Sequence, residues 1–296
     1  MIEEIDESVW RVSGAIHGPI ITILGGVHGN ERTGIEVVRR LRAEIESGSI
    51  SVASGTLYIA FGNLKAIELN KRGSGIGRDL NRSFPTNLLD QDSVDSYEDQ
   101  RARELAPILQ ESDIVVDMHA TNKPSEPFVA CLHSDKHADA YRWFPCTKVL
   151  TDPRFVLGGR PVTTDEYTEA HGGIGICYET GLAWDVSRID EVYDNVVNLL
   201  RHKGLVAGNP IESRKCTQDI FEIVEPIILT PAGFRYTEGF GERSWERFTT
   251  GTTLGWHGEG KEKPVTANFD GVVVFPKPEE NRHNGMPVGY LAKQVN

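Results

Sequence analysis

His28 and Glu31 stand three residues apart in Gly25-Gly26-Val27-His28-Gly29-Asn30-Glu31. An imidazole and a carboxylate at that spacing, directly after an apolar run, can grip one zinc ion from the same side. His119, in Val116-Asp117-Met118-His119, is the candidate third ligand. Two histidines and a glutamate leave the fourth zinc position open, the arrangement of a catalytic site rather than a structural one. Zinc is preferred over other divalent ions on ligand type, with one ion per chain. A lone His-x-x-Glu is common on protein surfaces; the preceding strand, the glycines and the third ligand set this one apart. Asp117, two residues before His119, is expected to face the other side of its strand and to be structural rather than a ligand. His17, His133, His137, His171, His202, His257 and His283 are expected in solvent or in the core.

Two further blocks could handle a substrate. Asn81 and Arg82, in Arg78-Asp79-Leu80-Asn81-Arg82-Ser83-Phe84-Pro85, can hold a carboxylate, the guanidinium as a two-pronged donor and the amide as a neutral one. The plain alternative is a solvated surface arginine pair. Gly73-Ser74-Gly75-Ile76-Gly77 lies just upstream, but no Lys-Ser/Thr follows to open a helix, so a nucleotide phosphate loop is not expected. Glu179, in Gly175-Ile176-Cys177-Tyr178-Glu179-Thr180-Gly181, sits at a strand end as His119 does. A carboxylate there can serve as general base towards a zinc-activated water.

The elements that must position these residues alternate. Ile20–Leu24, Thr56–Phe61, Ile114–Met118, Pro127–Leu132 and Gly175–Tyr178 read as strands. Thr33–Glu46, Tyr97–Gln110 and Ser187–His202 read as helices, the last stopped by Gly204. Pro107 predicts a kink or an early stop in the second. His28 and Glu31 are expected in the first turn of the Thr33 helix, where positions i and i+3 share a face. The stretch Asp90–Asp99 holds five carboxylates and is expected to be a solvated loop. Alternation of this kind predicts an α/β core, with helices on both faces of a parallel or mixed sheet. All three candidate ligands then fall at carboxyl ends of strands, where such sheets place their sites. After about residue 209 helical periodicity stops. Ile223–Leu229, Val265–Phe269 and Gly271–Phe275 read as short strands, with Asp270-Gly271 as a hairpin turn. The expected organisation is a catalytic domain over 1–209 and a smaller β domain over 210–296.

Composition narrows the class. At 296 residues, 39% apolar and 25% charged, the chain is an ordinary folded protein. A net charge of -12 argues against nucleic acid, which needs clustered Lys and Arg. No apolar run approaches a membrane span. The four cysteines contain no Cys-x-x-Cys pair, so a thiolate zinc site is not expected. The acidic start lacks a signal-peptide pattern, and a reduced cytoplasmic setting fits best.

His28-Gly-Asn-Glu31, Asp79-Leu-Asn-Arg82-x-Phe84-Pro85, Asp117-Met-His119 and Tyr178-Glu179-Thr-Gly181, in this order, resemble the succinylglutamate desuccinylase and aspartoacylase family, a branch of the zinc carboxypeptidase-like enzymes. The resemblance covers roughly residues 15–205. It implies a carboxypeptidase-like mixed sheet flanked by helices, with a smaller C-terminal β domain at the entrance to the active site. It implies zinc on His28, Glu31 and His119, Asn81 and Arg82 on a substrate carboxylate, and Glu179 as catalytic base and acid. The family's carbonyl-polarising arginine falls on Arg72, with Arg78 as the alternative; Arg78 otherwise joins the substrate-holding group. The implied reaction is cleavage of the amide of a small N-acyl amino acid or related carboxylate-bearing amide. The rivals are a carboxypeptidase-type exopeptidase and a zinc-dependent binding protein without activity. Dimers or tetramers are a possible assembly by the same analogy.

One position departs from the pattern. Aspartoacylases carry an arginine ten residues before the catalytic glutamate, for a second substrate carboxylate. Glu169 stands there in this chain. Cleavage of N-acetylaspartate is therefore not expected, and the acyl or amine part of the substrate is expected to be neutral or basic. The segments 265–275 and 285–291 weakly resemble the halves of a biotinyl-type barrel. They lack its modified-lysine motif, so a packing or entrance-lining role is expected.

Overall fold

Strand-forming and helix-forming runs alternate along the first two thirds of the chain, and the computed structural model folds them into a mixed α/β architecture. It describes residues 2–295 except 76–78, 91–95, 159, 212–216 and 259–262. In chain order the elements are β1 (Ile2–Asp6), β2 (Val9–Ser13), β3 (Ile16–Gly25), α1 (Arg32–Glu46), β4 (Ser54–Phe61), α2 (Leu64–Leu69), α3 (Thr86–Leu89), α4 (Tyr97–Glu111) and β5 (Ile114–Thr121). There follow β6 (Phe128–Ala130), α5 (Asp135–Tyr141), β7 (Lys148–Thr151), α6 (Thr164–Ala170), β8 (Ile174–Leu182) and α7 (Ile189–His202). The last part holds β9 (Asp219–Ile228), β10 (Phe234–Tyr236), β11 (Glu246–Phe248), β12 (Thr253–His257), β13 (Lys263–Thr266), β14 (Gly271–Val274) and β15 (Pro287–Val295).

Twelve strands form one sheet in the order β1-β2-β4-β3-β5-β8-β6-β7-β9-β15-β14-β11. Its centre, β4-β3-β5-β8, is parallel. Every residue of β5 is buried, as a strand covered on both faces must be. Helix α1 buries Val37, Val38 and Leu41, and α7 buries Val192, Val196, Leu199 and Leu200, in one core layer. Helix α4 buries Ala102, Leu105 and Leu109 in a second layer. Helices thus lie on both faces, as the alternation predicts. Gly204 follows α7 with φ of +72°, the left-handed turn that glycine takes most readily.

Three expectations are corrected. Helix α4 runs through Pro107 to Glu111, so the proline does not bring the early stop. The proline is on the exposed face, and the apolar residues on either side of it, Leu105, Ala106, Ile108 and Leu109, stay buried. Asp270-Gly271 does not close a hairpin: β13 lies in the separate three-stranded sheet β10-β12-β13, whereas β14 pairs with β15 in the large sheet. The Asp270 carboxylate instead accepts from the backbone and hydroxyl of Thr250. Glu98, counted above among the solvated carboxylates, is 1% exposed; residues 91–95 of that stretch lie outside those described. The strands after residue 209 are continuous with the rest, because β9 pairs in parallel with β7 and antiparallel with β15. No helix among the described residues is long and apolar enough to cross a membrane.

Candidate active site

The parallel register sets the site. Strand β3 ends at Gly25, and the chain turns through 26–31 before α1 begins. His28 and Glu31 are therefore in this turn rather than in the helix. Glu31 is the residue that caps α1, and its N–H donates to the carbonyl of His28 at 3.2 Å. The turn is compressed against α2: a Cβ on Gly29 would sit 1.9 Å from the carbonyl carbon of Ala66. No larger side chain fits there. Next to β3 runs β5, which carries His119, and next to β5 runs β8, in which Glu179 is the register partner of His119.

His28, Glu31 and His119 are all buried, and their ligating atoms lie within 4.8 Å of one another. His28 Nδ1 is 2.8 Å from Glu31 Oε1. His119 Nδ1 is 3.1 Å from Glu31 Oε2 and 3.2 Å from His28 Nδ1. Neighbouring ligand atoms on a tetrahedral zinc are about 3.3 Å apart for the usual zinc–nitrogen bond. Two imidazole nitrogens and a carboxylate at this separation fit a zinc ion. The outer nitrogens are anchored by carboxylates. His28 Nε2 is 3.0 Å from Asp79 Oδ1, and His119 Nε2 is 2.8 Å from Asp117 Oδ2. Such partners fix the tautomer and leave Nδ1 of each ring free to face a shared ion.

Asp117 is thus on the same face as His119, and the expectation that it points away is wrong. Side chains two apart on a strand share a face. Asp117 is structural in that it holds His119 and also accepts from the Thr164 hydroxyl at 2.5 Å. Asp79 likewise does more than mark a motif. It is bonded to His28 and accepts from Arg72 Nη2 at 2.9 Å. Two residues apart on a strand was signal enough to place Asp117 beside His119, whereas nothing in a separation of 51 residues foretells the Asp79–His28 contact.

Charge follows from these contacts. Burial works against the charge of Glu31, yet His28 and His119 hold its carboxyl far below the usual range. Burial also opposes the Asp79 charge, and His28 and Arg72 overcome it, lowering its pKa well below normal. Burial disfavours the His119 cation, but Asp117 and Glu31 raise its pKa well above the usual value. Glu179 moves the other way. Burial, with Glu31 adding to it, pushes its carboxyl up to about 7 against the pull of His119, His28 and Arg72. Glu179 Oε2 is buried without a hydrogen-bond partner among the described residues, and Oε1 accepts from the Cys177 thiol at 3.9 Å.

A cavity of about 860 Å³ contains these groups. Arg72, Asn81 and Arg82 line it; Arg78 lies outside the described residues. The Arg72 guanidinium reaches 3.7 Å from Glu31 Oε1. Asn81 is more engaged than a free substrate amide would be: its Oδ1 accepts from Thr164 N at 3.1 Å, and its Nδ2 is 3.4 Å from His119 Nε2. Arg82 Nη1 donates to the Asn81 carbonyl at 2.6 Å. Helix α6 supplies an acidic wall of Asp165, Glu166 and Glu169. His137 is buried, as expected for a core histidine. Its Nε2 meets Glu169 Oε1 at 2.5 Å, and Gly175 N donates to the same oxygen at 2.9 Å. Tyr290 of β15, with Phe275, Lys277 and Met286 from the segment between β14 and β15, brings the C-terminal region into the lining.

Comparison with known proteins places this geometry in a lineage. Residues 17–202 match the family model described as the succinylglutamate desuccinylase/aspartoacylase catalytic domain. A succinylglutamate desuccinylase of Pseudoalteromonas atlantica is 30% identical over 285 residues, covering 86% of this chain and 76% of the relative. An N-alpha-acetyl-L-2,4-diaminobutyric acid deacetylase of Halomonas elongata is 29% identical over 228 residues, covering 69% and 62%. The crystal structure of succinylglutamate desuccinylase from Vibrio cholerae superposes with a TM-score of 0.77 at 16% identity, over 100% of this chain and 88% of that one.

Proposed function

Because this chain belongs to the succinylglutamate desuccinylase/aspartoacylase family, a family of deacylases, we propose that it is a zinc-dependent hydrolase of a small N-acyl amino acid whose amine part is neutral or basic. The observation that carries the reading is the meeting of two imidazole Nδ1 atoms and both Glu31 oxygens at the edge of a cavity that also contains Glu179. His28, Glu31 and His119 would hold the ion, which when bound supplies a Lewis acid and an acidified water. Glu179, with its pKa near neutrality, would serve as the base that accepts a proton and as the acid that delivers it to the leaving amine. Arg72 stabilises charge developing on the carbonyl oxygen. Arg82 and Asn81 hold the substrate carboxylate, so that the amide is presented in one orientation. Residues 1–209 supply these groups, and 210–296 act as the β domain of the entrance.

The acidic wall of α6 supports the basic alternative for the amine part. Where aspartoacylases have an arginine, Glu169 is pinned by His137 and Gly175, with Asp165 and Glu166 on the same helix. The Halomonas relative is named for a substrate that carries a second amine. The test is hydrolysis of N-acetyl-2,4-diaminobutyrate, N-acetylaspartate, N-succinylglutamate and short peptides by zinc-loaded protein. Preference for the first over N-acetylaspartate is expected. Glu179→Ala should retain zinc and lose ~100-fold or more in kcat, whereas His119→Ala should lose the zinc. Preferential cleavage of peptides would favour the exopeptidase instead.

A further inference from the structure

Glu98 is a carboxylate that the reaction above does not use, in a stretch whose acids look solvated from the sequence. It is the second residue of α4, 1% exposed, and it borders the cavity. Its Oε1 accepts from Asn63 Nδ2 at 3.0 Å and from the backbone N–H of Ser74 at 2.9 Å. Asn63 is itself fully buried and caps α2, its Oδ1 accepting from Ala66 N at 2.9 Å. Ala66 is the residue against which Gly29 of the metal-binding turn is pressed. One oxygen of Glu98 therefore ties three pieces together: the start of α4, the cap of α2, and the loop that leaves α2. That loop carries Arg72, two residues before Ser74.

We infer that Glu98 is a positioning residue for Arg72. The guanidinium holds Asp79 and approaches Glu31, but the Arg72 side chain is 45% exposed and its backbone is in a turn with glycines at 73 and 75. A long side chain on such a loop reaches a fixed point only if the loop is tethered. The Ser74–Glu98 bond is such a tether, and burial makes it costly to leave unmade. The role needs the acceptor rather than the charge, because Oε2 has no hydrogen-bond partner among the described residues. The inference rests on the reading that Arg72 acts on the scissile carbonyl, and one arm of the test does not depend on that reading.

Amide hydrogen exchange of the 71–75 segment tests the tether without any substrate. Faster exchange is expected in Glu98→Ala and in the milder Glu98→Asp, which is one methylene too short to reach both donors. Glu98→Gln keeps the acceptor and should restore protection. Unchanged exchange in both Glu98→Ala and Glu98→Asp would overturn the proposal. Kinetics on N-acetyl-2,4-diaminobutyrate then test the route through Arg72. Glu98→Ala should lower kcat about 10- to 100-fold with KM and zinc content little changed, since small misplacements of a polarising group cost that much. In an Arg72→Ala background the same change should cost nothing more. A full additive loss in that background would show that Glu98 does not work through Arg72. If the wild type cleaves no substrate of the panel, the deacylase reading fails while the exchange result still decides the tether.

Discussion

Asp117 has no exposed surface, and its Oδ2 serves both His119 and the Thr164 hydroxyl. The second hydrogen bond matters as much as the first. It ties the anchor of the His119 ring to the first residue of α6, so His119 is oriented by the packing of a helix on the sheet. Replacing Asp117 by Asn keeps the shape but removes the charge that steadies the imidazole. Zinc affinity should fall ~10- to 100-fold, measured by competition with a chelator of known strength. Unchanged affinity would mean that ring orientation is set by packing alone. At this scale the sequence was generous about the ligands and poor about their supports. The meeting of His28, Glu31 and His119 was legible because candidate metal-binding side chains are few and these are close in sequence or near strand ends. Asp117 was misjudged through a slip in strand alternation. Asp79 and Glu98 were illegible in their roles, because each acts on a partner brought near only by the fold.

Between residues and fold stand the elements, and here periodicity worked well. Strands β3, β4, β5 and β8 and helices α1, α4 and α7 were all visible from apolar spacing, since each is buried along a continuous face or on both faces. Several short elements were not visible: β1 carries exposed charges, and β10 to β12 are too brief to show a period. The contact between α2 and the metal-binding turn was equally hidden, although it dictates a residue type. Gly29→Ala would drive a methyl group into the Ala66 backbone, which cannot yield as a side-chain end could. Either α2 or the turn must move, and both hold the site together. A loss of ~1–3 kcal/mol in stability is expected from such overpacking. Zinc binding should weaken further, measured by denaturant unfolding alongside metal content. A variant with native stability and full zinc would show that the turn has more slack than its contacts imply.

Over the whole molecule, the sheet joins both parts of the chain around one cavity, with cationic Arg72, Arg82 and Lys277 on some of its walls and the carboxylates of α6 on another. The cost of that acidic wall falls on Asp165. Burial pushes its carboxyl up to about 7, with Glu166 and Asp117 adding to the rise and Thr163 and His119 opposing it. In the unfolded chain the same group titrates near its ordinary value of about 3.9. Between about pH 4 and about pH 7 the folded protein therefore holds a proton that the unfolded chain has released. The stability linked to this group is fully present below the lower value and is lost as pH rises through the upper one. Glu31 and Asp79, with lowered pKa values, act in the opposite sense, and only at more acid pH. Glu179, whose carboxyl burial also raises, loses stability in the same direction as pH rises. In metal-free protein, raising the pH across this window should thus lower the unfolding midpoint of wild type more steeply than that of Asp165→Asn, because an amide does not titrate. A cation in the cavity beside α6 would stabilise the charged carboxylate, so a diamino acid added near neutral pH should recover part of the loss in wild type and little in the variant. Equal pH slopes in the two proteins would mean that the Asp165 carboxylate is better solvated than its surroundings imply, and the acidic wall would then lose its claim to favour a basic amine part.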